Sequence, residues 1–253
     1  MELTIRNYPH GLDEEILPDD YEVEKERADD LEEDLNAEIA EENAIYVDSY
    51  AEANYFAACY KYALGESPDN LKPLLAKALE NWFLAVRFGI VMDVYEFIRL
   101  LALARAVGNR EIAEALAKTK RDRYTDPDVE AEEIVFAVAE LLAAFIRRDD
   151  EAVALVLAEN NPATIDEKKI YRYDRMIYFP LLEMMNAIHQ GDSAKLAAAL
   201  EKRQKQFVDF FKRSTEKNDP EALIDMPGLA VAVIARRRDL KFTDSSVYRP
   251  SGL

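Results

Sequence analysis

The sequence predicts an all-α protein: stacked helical hairpins in a helical-repeat-like array, preceded by an acidic N-terminal arm. Three observations carry this. Alanine, leucine and glutamate dominate, while seven glycines and ten prolines are few for 253 residues, the composition of helices with short connections. Apolar residues recur at steps of three and four, and few stretches alternate with the period of a strand. A short polar turn between two helical patterns returns at positions 65, 108, 148 and 191, a period of roughly forty residues that belongs to paired-helix repeats.

The first element is the run from Asp13 to Glu42, with sixteen carboxylates against Lys25 and Arg27. The rest of the chain is close to balanced, so this run holds most of the net charge of −18. Residues 1–43 are therefore read as an acidic arm, partly helical, and residues 44–253 as one all-α helical domain. Residues 44–64 show an apolar stripe of Tyr46, Tyr50, Ala53, Ala57, Tyr60 and Leu64. The stripe stops at Gly65, and "SPDNLKPLLAKALE" begins a second helix.

Residues 92–107 place Val94, Phe97, Ile98, Leu101 and Ala102 on one side, and their turn is Gly108-Asn109-Arg110. Asp126 and Pro127 predict the opening of a helix with an acidic first turn. The next turn is Arg148-Asp149-Asp150. Residues 168–190 predict one long helix kinked at Pro180, whose ring removes an amide donor. Gly191-Asp192-Ser193 turns the chain again, and a final helix is expected near 227–237 before an irregular tail. At these turns glycine supplies the left-handed conformation that closes one helix, and Asn or Asp caps the amides of the next.

The charge balance argues against nucleic acid as a partner, because no global basic field is available to displace phosphate counterions. A basic partner or a solvated face fits better. Cys59 is the lone cysteine, which excludes an intrachain disulfide, and its apolar helix makes it an inert core thiol. The N-terminal residues lack the basic and apolar regions of a signal peptide. The most apolar run, Ile134 to Ile146, is interrupted by Glu140 and is too short for a membrane. The expectation is a soluble, cytoplasmic protein with no membrane association.

No catalytic constellation is visible. The two histidines, His10 and His189, cannot make a zinc motif, and His189 reads as a cation near a helix C-terminus. There is no glycine-rich phosphate loop and no Gly-x-Ser-x-Gly elbow. Asp126 to Glu133 imitates a calcium loop but carries Ala131 and Ala137 where glycine and a bidentate glutamate belong. No catalytic residue, metal or cofactor is predicted.

Two binding candidates remain. One is the acidic face formed by Asp13, Glu14, Glu15, Asp19, Asp20, Asp29, Asp30, Glu32, Glu33 and Asp34. The other is "YRYDRMIY", which places Tyr171, Asp174, Arg175 and Tyr178 on one helical side. It reads either as a buried Asp–Arg pair with bridging tyrosines or as a hot spot of Tyr171, Tyr173, Arg175 and Tyr178.

The C-terminal order of features, "MPGLAVAVIARRRDL" followed by "VYRPSGL", together with "ALENWFLAVRFG" and "DVYEFIRLLALARAVGNREIAEALA", resembles the immunity protein 49 family of bacterial polymorphic toxin systems. The matching tail positions are Tyr248, Pro250 and Leu253, and the likeness spans residues 44–253 without the acidic arm. The resemblance implies an all-α fold and a non-catalytic protein that neutralises a cognate secreted toxin by binding it. A toxin with a basic surface, such as a nuclease, would suit the acidic arm. Two other readings stand beside it: a helical-repeat scaffold that binds peptides, and an arm that docks on the chain's own basic stretch from Lys202 to Lys217.

Overall fold

Side-chain caps open most of the helices that follow the predicted turns. The computed structural model describes residues 5–37, 43–215 and 217–253, and among these residues it contains twelve α-helices and no strand. In chain order they are α1 (Leu17–Ala37), α2 (Ala44–Ala63), α3 (Pro68–Arg87), α4 (Val94–Ala106), α5 (Arg110–Leu116), α6 (Glu133–Arg147), α7 (Asp150–Glu159), α8 (Arg172–Ile177), α9 (Phe179–His189), α10 (Ser193–Phe211), α11 (Pro220–Leu223) and α12 (Met226–Arg237). Residues 1–4 and 38–42 of the acidic arm lie outside the described residues.

All four turns separate helices as their sequences predict. The side chains of Asn109, Asp149 and Asp192 accept amide bonds of 3.0–3.1 Å from the first turns of α5, α7 and α10. Asp93 and Glu96 form a reciprocal capping box at α4, with bonds of 2.8 and 3.0 Å. Gly65, Gly108 and Gly191 take φ of 104°, 77° and 67°, whereas the fourth turn puts Arg148 there with φ of 60°. Arg148 still completes the helix-closing pattern, because the next amide, of Asp149, donates to the Ala144 carbonyl at 3.0 Å. An arginine in that conformation is strained. Arg148→Gly is expected to raise stability by about 0.5–1 kcal/mol and the unfolding midpoint by roughly 2 °C, readable in a thermal melt.

The hairpins stack in sequence, α1 on α2, α2 on α3 and α4 on α6, with α9 joining α6 and α10. Helix α12 then returns against α4, α6 and α9, so the C-terminal part of the chain lies in the middle of the array. Fully covered Phe97, Ile98, Leu101, Leu142, Leu181, Leu182 and Met185 fill this core. A smaller cluster holds Ala28 and Leu35 of α1 against Val47, Tyr50 and Ala53 of α2 and Ala85 of α3. Among the described residues, no helix is long and apolar enough to cross a membrane.

Two predicted elements differ from the structure. The expected helix over 168–190 is divided into a short 3-10 turn, α8 and α9, with the break at Tyr178. Pro180 occupies the first turn of α9, where a missing amide costs nothing, instead of kinking a continuous helix. Asp126 opens a turn and not a helix: its carboxylate accepts from the Asp128 amide at 2.9 Å, and α6 starts only at Glu133.

Candidate interaction surface

Helix α1 is held to the body by a narrow stripe. Leu17, Tyr21, Glu24, Ala28, Leu31 and Leu35 follow alternating steps of four and three, and each is buried or half-buried. The stripe is the signal that reading α1 as an acidic run misses. Two ion pairs tie it to the body: Arg27 reaches Glu52 of α2 at 2.9 Å, and Lys77 of α3 reaches Glu32 at 3.0 Å. Within α1, Arg27 also meets Glu24 at 3.2 Å. The Lys77 hydrogen bond holds the Glu32 carboxyl below the ordinary carboxylate range, whereas burial pushes Glu24 up.

Of the ten acids predicted to form a binding face, Asp20 and Glu32 are turned partly inward. Asp20 accepts from Asn218 at 2.8 Å. Asp13, Glu14, Glu15, Asp19, Asp29, Asp30, Glu33 and Asp34 are exposed. The arm meets the far end of the basic stretch through His10, which lies 3.1 Å from the Lys217 carbonyl, while two bases at its near end are held elsewhere. Lys202 pairs with Glu167 and Glu183, each at 2.9 Å, and Arg203 is turned into the core onto Asp225.

Among the described residues, seven large apolar side chains are exposed, and Ile16, Val23, Ile45 and Tyr46 lie beside α1 and the start of α2. Val23, Ile45 and Tyr46 line an open groove between the two helices, together with the charged side chains of Glu26, Arg27 and Asp30. Apolar side chains that solvent reaches, set beside charged ones, are features of protein contact surfaces.

The second candidate is divided by the fold. Tyr171 is 67% exposed. Tyr173 is half-buried and donates to Glu221 at 3.1 Å, and Tyr178 is buried. Asp174 is buried too, but its partners are the Tyr95 hydroxyl at 3.0 Å and the Glu132 amide at 3.4 Å, not Arg175. Tyr95, Tyr173 and Tyr178 form an edge-packed aromatic cluster with ring centroids 5.4–5.9 Å apart. The structure thus brings Tyr173 and Tyr178 into the interior and leaves Tyr171 and half-buried Arg175 toward solvent.

Beneath that cluster is a small crevice lined by Tyr55, Arg99, Arg203, Glu221 and Asp225 among others. Both of its acids are already committed: Arg99 holds Glu221 at 2.6 Å, and Arg203 and Arg249 hold Asp225. Burial alone would raise the Asp225 carboxyl, but the two guanidinium groups bring it below the usual carboxylate range. Burial pushes the Cys59 thiol up, away from reactivity. No group of three or more His, Cys, Asp or Glu that could hold a metal is present among the described residues.

Sequence reasoning missed the buried polar groups. Asp225 was legible in part, since Asp before Met-Pro-Gly is a helix-opening pattern, and its carboxylate accepts from the Gly228 amide at 2.9 Å. His10 gave no local signal. Its Nδ1 meets the Tyr248 hydroxyl at 2.8 Å and its Nε2 the Lys217 carbonyl at 3.1 Å. Burial lowers its pKa below the ordinary histidine value, partly offset by the Lys217 carbonyl. His189 is exposed in the last turn of α9.

Compared with known proteins, residues 35–253 match the family model described as Immunity protein 49. Nothing among curated proteins or solved structures matches. Most of α1 precedes the matched region.

Proposed function

The chain belongs to the immunity protein 49 family, and on that premise we propose that it neutralises a cognate secreted protein toxin by binding and occluding it in the cytoplasm of the producing cell. The observation that supports a particular contact surface is the groove of Val23, Ile45 and Tyr46 set among the exposed acids of α1. Apolar anchors supply the energy of such an interface, and the carboxylates supply steering and register. The complementary toxin surface is apolar at its centre and rich in lysine and arginine. A nuclease fits that description, because the basic groove that holds phosphates would instead face α1. The interface would bury on the order of 1,600 Å² in total. No step in this reading transforms a substrate; protection comes from covering the toxin's working surface.

The test uses the cognate toxin. Tyr46→Asp with Val23→Asp should leave the fold intact, since both side chains are exposed, and raise Kd by about thirtyfold or more. Charge reversal at Asp29, Asp30 and Glu33 should slow association by roughly tenfold at low salt and flatten its salt dependence. Surface plasmon resonance reads both effects. Unchanged affinity and rates in both variants would remove this face from the interface.

A further inference from the structure

Helices α2, α3 and α4 enclose a pocket beside the α1 groove. Asp48 and Glu52 of α2, Trp82 of α3, and Glu96 and Arg99 of α4 line it. Ile45 and Ser49 of the groove lie one helical strip away from Asp48 and Glu52. Glu96 is exposed, and Asp48, Glu52 and Trp82 are half-buried, so solvent reaches the pocket. Its cavity volume is ≈ 40 Å³, room for about three water-sized groups and too little for a nucleotide or a drug-sized ligand.

The charges in this pocket do not balance. Arg99 is held by Glu221 at 2.6 Å, and Glu52 shares Arg27 with Glu24. Among the described residues, neither Asp48 nor Glu96 is held in an ion pair. Burial, and then the charge of Glu52, push the Asp48 carboxyl up, and the Trp82 N–H, Arg27 and Arg99 offset that only in part. Three lining carboxylates therefore face one arginine that already has a partner. Such walls repel an anion. They do not suit a metal either, since no group of three or more His, Cys, Asp or Glu that could hold one is present among the described residues.

The rest of the lining is aromatic and apolar. Val86, Ile90 and Leu100 stand beside the Trp82 indole, the aromatic ring that best receives an organic cation. The Arg99 guanidinium already lies 6.0 Å from that ring, at the limit of such a contact. Val91, between the lining residues Ile90 and Met92, is 67% exposed and adds an apolar contact beside the pocket.

We propose that this pocket receives one basic side chain of the partner protein, its cationic head against Trp82 and paired with Asp48 and Glu96, its stem along Val86 and Ile90. A long basic side chain suits both parts, because its methylenes pack on apolar surface while its head keeps its charge satisfied. The partner's identity rests on the toxin-binding reading above, to which the pocket adds the chemistry of one anchor.

The full chain, with no toxin present, is titrated at low ionic strength with N-acetyl-arginine amide and N-acetyl-lysine amide. N-acetyl-citrulline amide is the neutral isostere of the first. Trp82 is the chain's one tryptophan, so its indole N–H gives a single resonance in a proton–nitrogen correlation spectrum. At least one basic probe should move that resonance saturably, in the millimolar range, and citrulline should not. Response to one basic probe alone assigns its head group, and response to both makes the pocket general for basic side chains. Asp48→Asn, and Glu96→Gln, which preserves the capping box of α4, should each weaken binding by about threefold to tenfold. An unchanged spectrum outside the pocket separates loss of the site from loss of the fold. No movement with either basic probe, an equal response to citrulline, or equal affinity in wild type and both variants overturns the proposal. Because no toxin is used, that failure leaves the α1 face standing, and failure of the α1 face leaves this pocket standing.

Discussion

Asp225→Ala is expected to destabilise the protein by about 3–5 kcal/mol, enough to consume a large part of a typical domain's stability. Asp225 is 1% exposed and meets two arginines that are themselves buried. Arg203 donates to it through Nε at 2.8 Å and again through Nη2, and also donates to the Ile177 carbonyl. Arg249 reaches it at 3.1 Å while gripping Asp244 at 2.9 and 3.0 Å. Removing the carboxylate strands Arg203, which has no solvent access, and uncaps α12, which adds about 1 kcal/mol. Glycine is required at 228 because a Cβ there would overlap the same carboxylate.

Urea unfolding followed by circular dichroism reads the effect. The double variant Asp225→Asn with Arg203→Met should lose less than the two single losses combined, because no buried charge is left without a counter-ion. A single-variant loss below about 1 kcal/mol would show that the network contributes little. The sign with pH follows from the lowered carboxyl. Its contribution is complete above the unfolded carboxylate value and disappears as pH falls through the lower, folded value.

Tyr248→Ala is expected to cost about 3–5 kcal/mol, the usual range for deleting a buried ring. Tyr248 has no exposed surface, and its ring lies 5.3 Å from Tyr8, 5.6 Å from His10 and 4.9 Å from Phe207. Tyr248→Phe keeps the packing and deprives His10 of a partner, so it should cost only about 1 kcal/mol. Similar losses in both variants would show that the hydroxyl, not the ring, carries the site.

The His10 partner gives this site a pH signature. The folded pKa is lowered, so the neutral ring is the form the fold accommodates. Stability is complete above the unfolded histidine value and declines as pH drops below it, levelling off under the folded value. Half-buried carboxyls such as Asp48 and Glu140, raised by burial, act with the opposite sign and at lower pH. The difference between wild type and His10→Asn therefore isolates the histidine. It should vanish above neutrality in slope and appear as pH falls below about 6.5.

What could be read beforehand was local. The four turns are set by residues within a few positions of one another, such as Gly191 and Asp192, so their chemistry shows in the string. The stripes of α2 and α4 are legible for the same reason, since one face of a helix repeats every few residues. Arg203 was not legible. It sits in "EKRQKQF", which reads as a solvated basic surface, and only partners 22 and 26 positions away make it a core residue. His10 and Tyr248 are 238 positions apart. Nothing in either neighbourhood announces the other. The interaction surface was legible as charge but not as shape: the acids of α1 were visible, whereas the groove of Val23, Ile45 and Tyr46 depends on how α1 lies along α2. Tyr46 was assigned to the packed stripe of α2, yet it is 51% exposed.

The seating of Tyr8 and His10 against Tyr248 has a bearing on how the molecule is made. A ribosome that has delivered every helix through α12 has still not supplied the ring that locks the N-terminal segment in place. Until that ring arrives, Tyr8 and His10 face a gap, and the nascent chain offers proteases a loosened edge. The N-terminal segment would then reach its final seat only after the chain beyond α12 has been made.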